Sequence, residues 1–149
     1  MAVYTADELL DFAIDREQEA HDFYMDLAGR AKRPDTKDLL TRLAKEELGH
    51  KKKLEAIKSG NRSFPAAKDV TAVEIDDYLV DVEPDSKLNY EDALILAVKR
   101  EEEAFILYTD LSKLAGDGEL KRIFLGLAQE EAKHKLRFEI EYKKTFLDE

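Results

Sequence analysis

Over four long stretches of this 149-residue chain, apolar residues recur at alternating steps of three and four. That is the period of a helix with one hidden face. The first stretch runs from about Ala6 to Ala31 and opens on Thr5, with Glu8 three residues on, the pairing of a capping box. The second runs from about Thr36 to Ser59, preceded by Pro34 and Asp35 and followed by Gly60. The third runs from about Tyr90 to Ala115, with Asn89 placed as its N-cap and Gly116 just past its end. The fourth runs from about Glu119 to Phe146, with Asp117 as its cap. The joints Lys32–Asp35 and Gly116–Gly118 are short, which predicts two antiparallel hairpins. The stretch Gly60 to Asn89, holding Pro65 and Pro84, is too long for a turn and predicts a crossover back along the bundle. Within it, Val73–Val82 reads as a short helix or turn packed on the bundle. The expectation is one all-α domain over 1–149, with hairpin 1 at about 6–59, the crossover at about 60–89 and hairpin 2 at about 90–146.

The two hairpins are copies. At an ungapped offset of 84 residues, Ala13 meets Ala97, Arg16-Glu17 meets Arg100-Glu101, and Tyr24 meets Tyr108. In the second helix of each pair, Leu43-Ala44 meets Leu127-Ala128, Glu46-Glu47 meets Glu130-Glu131, and His50-Lys51 meets His134-Lys135. A duplicated hairpin predicts a bundle with a pseudo-two-fold axis.

The seam of each helix, which should be apolar throughout, is interrupted at matching points. Helix one gives Leu10, Ala13, Glu17, Ala20, Tyr24; helix two gives Leu40, Leu43, Glu47, His50, Leu54. The second hairpin repeats this with Glu101, Glu131 and His134. Glu17, Glu47 and His50 lie at similar residue counts from the first turn, and Glu101, Glu131 and His134 at the same counts from the second. At about 1.5 Å rise per residue they share one height in the bundle. Four carboxylates and two imidazoles in one buried layer repel and are costly to desolvate. Two divalent cations resolve both problems. Carboxylate and imidazole without thiolate suit iron or manganese, with zinc also open. One Glu from each of two helices and a Glu-x-x-His from each of the others is a dinuclear ligand pattern of helix bundles.

Composition narrows the remaining classes. There is no cysteine, which excludes disulfide scaffolds, thiolate metal sites and cysteine nucleophiles. The longest apolar run, Ala93–Val98, is far short of the ~20 residues of a membrane span, and the N-terminus does not read as a secretory signal. A formal charge of −10 disfavours nucleic acid as a partner. The expectation is a cytoplasmic protein with no membrane and no nucleic-acid partner. Four of its 34 acidic residues belong to the core, and two bound divalent ions would bring −10 to about −6.

On these residues the chain resembles a ferritin-like di-iron four-helix bundle, and within that group the rubrerythrins. The segments Ala13–Glu17 through Phe23-Tyr24, and Leu43–His50, carry the resemblance with their counterparts in the second half. It implies two iron ions per bundle held by Glu17, Glu47, His50, Glu101, Glu131 and His134. It implies a peroxidase or oxidase that reduces hydrogen peroxide or dioxygen, and it suggests a homodimer. Two departures stand out. Full-length rubrerythrins add a rubredoxin domain whose iron sits on four cysteines; with no cysteine here, a separate redox donor, such as a rubredoxin-like protein, is expected. Many rubrerythrins also place an extra Glu three residues after the third-helix ligand, where this chain has Ala104, matching Ala20. Two other functions fit the same pattern: a ferroxidase or iron-binding protein, and a non-catalytic, metal-stabilised interaction module.

Tyr24 and Tyr108, two turns beyond Glu17 and Glu101 on the same faces, read either as core packing or as hydrogen-bond partners of the ligand carboxylates. His21, matched by Phe105, reads as a partly exposed packing residue. Glu46 and Glu130, like Arg16 and Arg100, read as flanking ion-pair residues, and Lys51-Lys52-Lys53 as a solvated face.

Overall fold

A computed structural model describes residues 4–60, 89–116 and 118–147. These form four helices: α1 (Ala6–Arg30), α2 (Pro34–Lys58), α3 (Tyr90–Leu114) and α4 (Glu119–Tyr142), the last continuing as one wider π-helical turn, Lys143–Leu147. The offset of 84 carries Ala6 onto Tyr90 and Arg30 onto Leu114, so the duplication seen in sequence is repeated in the element boundaries. The crossover reading, with its short element at Val73–Val82, lies outside the described residues.

Local chemistry explains the ends. Thr5 and Glu8 form both halves of the capping box that starts α1. Asn89 caps α3 by accepting from the Asp92 amide at 2.8 Å. α2 starts two residues earlier than its apolar pattern, because Pro34 takes the first helical position, where a missing N–H costs nothing. α4 is preceded by Gly118 at φ 119°, with no side-chain cap; Asp117, expected in that role, lies outside the described residues. Gly116, just past α3, sits at φ 73°, where a side chain would be strained. α4 itself ends at Tyr142, four residues before Phe146; Phe146 lies on the π turn and packs on Tyr142 and Tyr90.

Helix pairs α1·α2 and α3·α4 pack closely, and together the four make an all-α four-helix bundle. The core falls into two apolar clusters. One gathers the end of α1, the start of α2, the start of α3 and the end of α4, including Leu27, Leu40, Leu94 and Phe138. The other gathers the opposite ends, including Leu10, Leu54, Tyr108 and Phe124. The hairpins therefore run antiparallel to one another, and a layer of different chemistry separates the clusters.

Truncation in either cluster should cost full core energy: Leu40→Ala about 2–5 kcal/mol and Phe124→Ala about 3–5 kcal/mol, read as a loss of unfolding free energy in urea. A loss below about 1 kcal/mol at either site would contradict two separately packed clusters.

Candidate metal centre

The separating layer holds the six interrupting residues. Each helix contributes at its mid-height: Glu17 from α1, Glu47 and His50 from α2, Glu101 from α3, Glu131 and His134 from α4. The seam period turns all six inward. The four carboxylates and His50 are buried, and His134 is half-buried.

Their atoms converge. His50 Nδ1 lies 3.2 Å from Glu17 Oε2, 3.4 Å from Glu131 Oε1 and 3.7 Å from Glu47 Oε1. His134 Nδ1 lies 3.5 Å from Glu131 Oε1 and 3.8 Å from Glu101 Oε2. The two imidazoles stack in parallel, 5.8 Å between centroids. Among the described residues, two sets could hold an ion: Glu17, Glu47 and His50, and Glu47, Glu101, Glu131 and His134, with the donor atoms of each set within 4.8 Å of one another. Glu47 belongs to both, which suits two neighbouring ions.

Close approach here does not mean pairing. Glu47 Oε1, both carboxylate oxygens of Glu101 and of Glu131, and Nδ1 of both histidines are buried without a hydrogen bond. Each buried orphan costs about 1–3 kcal/mol. Acceptor atoms aimed at a shared point, rather than at donors, fit cations. The oxygen-rich set with one imidazole on each side fits divalent iron or manganese.

Protonation reflects the same crowding. Burial, then the nearby Glu17 and Glu101, push the Glu47 carboxyl well above its usual range. Burial, then Glu101 and Glu47, do the same at Glu131. At His50 burial works against the charged ring, but Glu130 and Glu17 outweigh it and hold the imidazole protonated above its ordinary range.

On the α1–α3 side, a cavity of about 330 Å³ reaches Glu17 and Glu47. Its walls repeat the duplication: Arg16 and Arg100, Ala20 and Ala104, Tyr24 and Tyr108. The two tyrosines are equally buried but differ in bonding. Tyr108 Oη donates to Glu17 Oε2, whereas Tyr24 Oη has no hydrogen-bond partner among the described residues. Burial raises both phenols well above their ordinary range, so both stay neutral.

The remaining candidates separate clearly. His21 sits beside Asp22 at 3.1 Å and takes no part in the cluster. Arg16 pairs with Glu19 at 2.5 Å and Arg100 lies 3.7 Å from Glu103, each guanidinium also covering a phenylalanine, Phe12 and Phe23 respectively. In the lysine run Lys52 and Lys53 are exposed, as that reading has it, with Lys53 3.7 Å from Glu130, while Lys51 is half-buried and donates to Gln18 at 2.5 Å. Glu46 and Glu130 do form ion pairs, but they lean inward to the histidines rather than standing on an outer flank. Sequence reasoning passed over Lys135 and Glu139, which are buried 3.8 Å apart, with Lys135 also 3.0 Å from Glu102. Their i,i+4 spacing was the available signal.

A family model described as Rubrerythrin matches residues 8–82 and 92–149. No curated protein and no solved structure matches the chain.

Ion binding at this layer should be strongly linked to pH. Glu47 and Glu131 are raised above 4.5, and His50 above 6.5. Groups with raised folded values favour the metal-free fold at low pH, and that contribution is lost as pH climbs through those values. The exposed carboxylates Asp22 and Asp35, held below 3.8, are already ionised in this window. The metal-free protein should therefore melt at lower temperature at pH 8 than at pH 5.5. Loading with a divalent ion should release protons and reverse the trend. Melting curves with and without Mn²⁺ across that range, with calorimetric titration in two buffers of different ionisation enthalpy, test this; a pH-independent gap between loaded and metal-free protein would contradict it.

Proposed function

The chain belongs to the rubrerythrin family, and from that membership and the buried ligand cluster we propose that it is a di-iron oxidoreductase reducing hydrogen peroxide or dioxygen. The observation that carries the proposal is the convergence of seven unpaired buried donor atoms, from five side chains, in one layer of the bundle. Glu17, Glu47 and His50 would hold one ion, and Glu101, Glu131 and His134 the other, with Glu47 within reach of both. Ions bound there would supply the redox chemistry and polarise the oxidant.

The chain's own residues account for the rest. The α1–α3 cavity has space for several water-sized molecules at about 30 Å³ each, so a peroxide molecule can reach Glu17 and Glu47 through it. Ala20 and Ala104 keep that space open, where a longer side chain would fill it. Tyr24 Oη, neutral and unpartnered on the cavity wall, is placed to donate a hydrogen bond to the entering oxidant. Tyr108 holds Glu17 in one orientation and is thereby unavailable for that role. Reducing one peroxide to two waters takes two electrons and two protons. The 149 residues contain no cysteine to ligate a rubredoxin-type iron, so the electrons come from a donor outside them.

A second reading, ferroxidase, is favoured by Ala104. Its match to Ala20 leaves the two halves of the ligand set alike, as suits ferrous ions that are themselves oxidised as substrate.

Anaerobic reconstitution should load two iron ions per chain, and Glu47→Ala or Glu131→Ala should bring the content below one. Stopped-flow mixing should oxidise the diferrous protein at least ten times faster with peroxide than with air-saturated buffer. Equal rates would remove the peroxidase assignment. Continued oxidation of added ferrous ion well beyond two per chain, without a donor, would establish the ferroxidase instead.

A further inference from the structure

On the face opposite the cavity, between α2 and α4, each hairpin sends a carboxylate across to the other's histidine. Glu130 of α4 places Oε2 3.0 Å from His50 Nε2. Glu46 of α2, its duplicate, places Oε2 3.5 Å from His134, but at Nδ1. The difference has a local cause. Arg137 takes Glu46 Oε1 at 2.9 Å, while Lys53, which the duplication sets opposite Arg137, stands 3.7 Å from Glu130. A guanidinium grips its carboxylate with directional donors; an ammonium at that range leaves Glu130 turned toward the imidazole.

We infer that Glu130 is a positioning residue for the centre: it accepts from Nε2–H of His50 and so commits Nδ1 to the ion. The geometry at the other nitrogen agrees. His50 Nδ1 faces Glu17, Glu47 and Glu131 and is buried without a hydrogen bond, as a coordinating atom must be. An imidazole can use either nitrogen on a metal, and the hydrogen bond made by the other decides which. A carboxylate in this place also makes the ring a more basic ligand. Because Glu130 and His50 belong to different hairpins, the contact ties the ligand geometry of hairpin 1 to the docking of hairpin 2. Glu46, held by Arg137, gives His134 no equivalent, so the two histidines are set with unequal firmness.

This inference rests on the metal-centre reading, and cobalt(II) titration of the metal-free full chain separates the two. Wild type should bind two Co²⁺ and show visible ligand-field bands. Glu130→Ala should weaken the binding about 10–100-fold and alter the bands. Glu130→Gln, which keeps an acceptor oxygen and the side-chain shape, should recover most of the affinity, and it guards against an alanine variant that fails to fold. Glu46→Ala and Lys53→Ala should each change the affinity less than threefold. In Zn²⁺-loaded, ¹⁵N-histidine-labelled protein, the His50 Nε2–H resonance should be protected from exchange in wild type and lost in Glu130→Ala. If Glu130→Ala binds and absorbs like wild type, or if Lys53→Ala costs as much as Glu130→Ala, the positioning role is overturned while the metal centre stands. If wild type binds no Co²⁺, the metal-centre reading falls, and the role of Glu130 with it.

Discussion

Burying four carboxylates in one layer of a helix bundle is the constraint on which the rest of this structure turns. Glu17, Glu47, Glu101 and Glu131 are all almost fully removed from water. Without compensation such a layer would split the core, because desolvation and mutual repulsion both oppose it. The protein's partial answers are visible: raised protonation at Glu47 and Glu131, a tyrosine on Glu17, a protonated His50 between carboxylates. Glu101 gains least, since both its oxygens stay without a hydrogen-bond donor among the described residues. The divalent ions proposed for its centre would complete the layer.

Duplication supplies the layer cheaply in sequence terms, since one hairpin carrying Glu, then Glu-x-x-His, yields the whole set when copied. Chemistry at a pseudo-symmetric centre does not have to remain symmetric. Tyr108 is bonded where Tyr24 is not. Arg137 grips Glu46 where Lys53 leaves Glu130 to His50. His21 has Phe105 as its counterpart. The departures lie just outside the six candidate ligands, where a substitution can alter one half without removing a candidate ligand.

Much of this was legible in the sequence, for identifiable reasons. Helical period and an ungapped repeat are redundant signals, so the four helices, the capping box at Thr5 and the common height of Glu17, Glu47 and His50 could all be read from spacing. What escaped depended on which side chains meet across helices. Spacing put Glu46 and Glu130 beside the seam; it could not say that each leans to a histidine 80-odd residues away in sequence. The burial of Lys135 and Glu139 is not written in the sequence, because it depends on the packing of neighbouring helices. The start of α2 lies two residues ahead of its apolar pattern because Pro34 serves as a first helical residue, which the apolar period does not mark.

The arrangement of the two apolar clusters gives the layer a mechanical role as well as a chemical one. Each cluster is built from all four helices, so each already holds the hairpins together at one end of the bundle. Over the helices as a whole, backbones approach closely within α1·α2 and α3·α4, and far less between hairpins. The centre is therefore clamped at both ends and open at its flanks. One opening, toward α1 and α3, shows carboxylates and tyrosines; the other, toward α2 and α4, shows the histidines and their carboxylate partners. On the proposed function, an oxidant arriving by the first would meet Tyr24 and the open space left by Ala104, away from the histidines. The second face is lined by Lys53, Lys133 and Arg137 around the imidazole edges, and nothing in the first opening needs to move for the histidines to be held. The two different openings follow from threading two duplicated hairpins antiparallel through one charged layer.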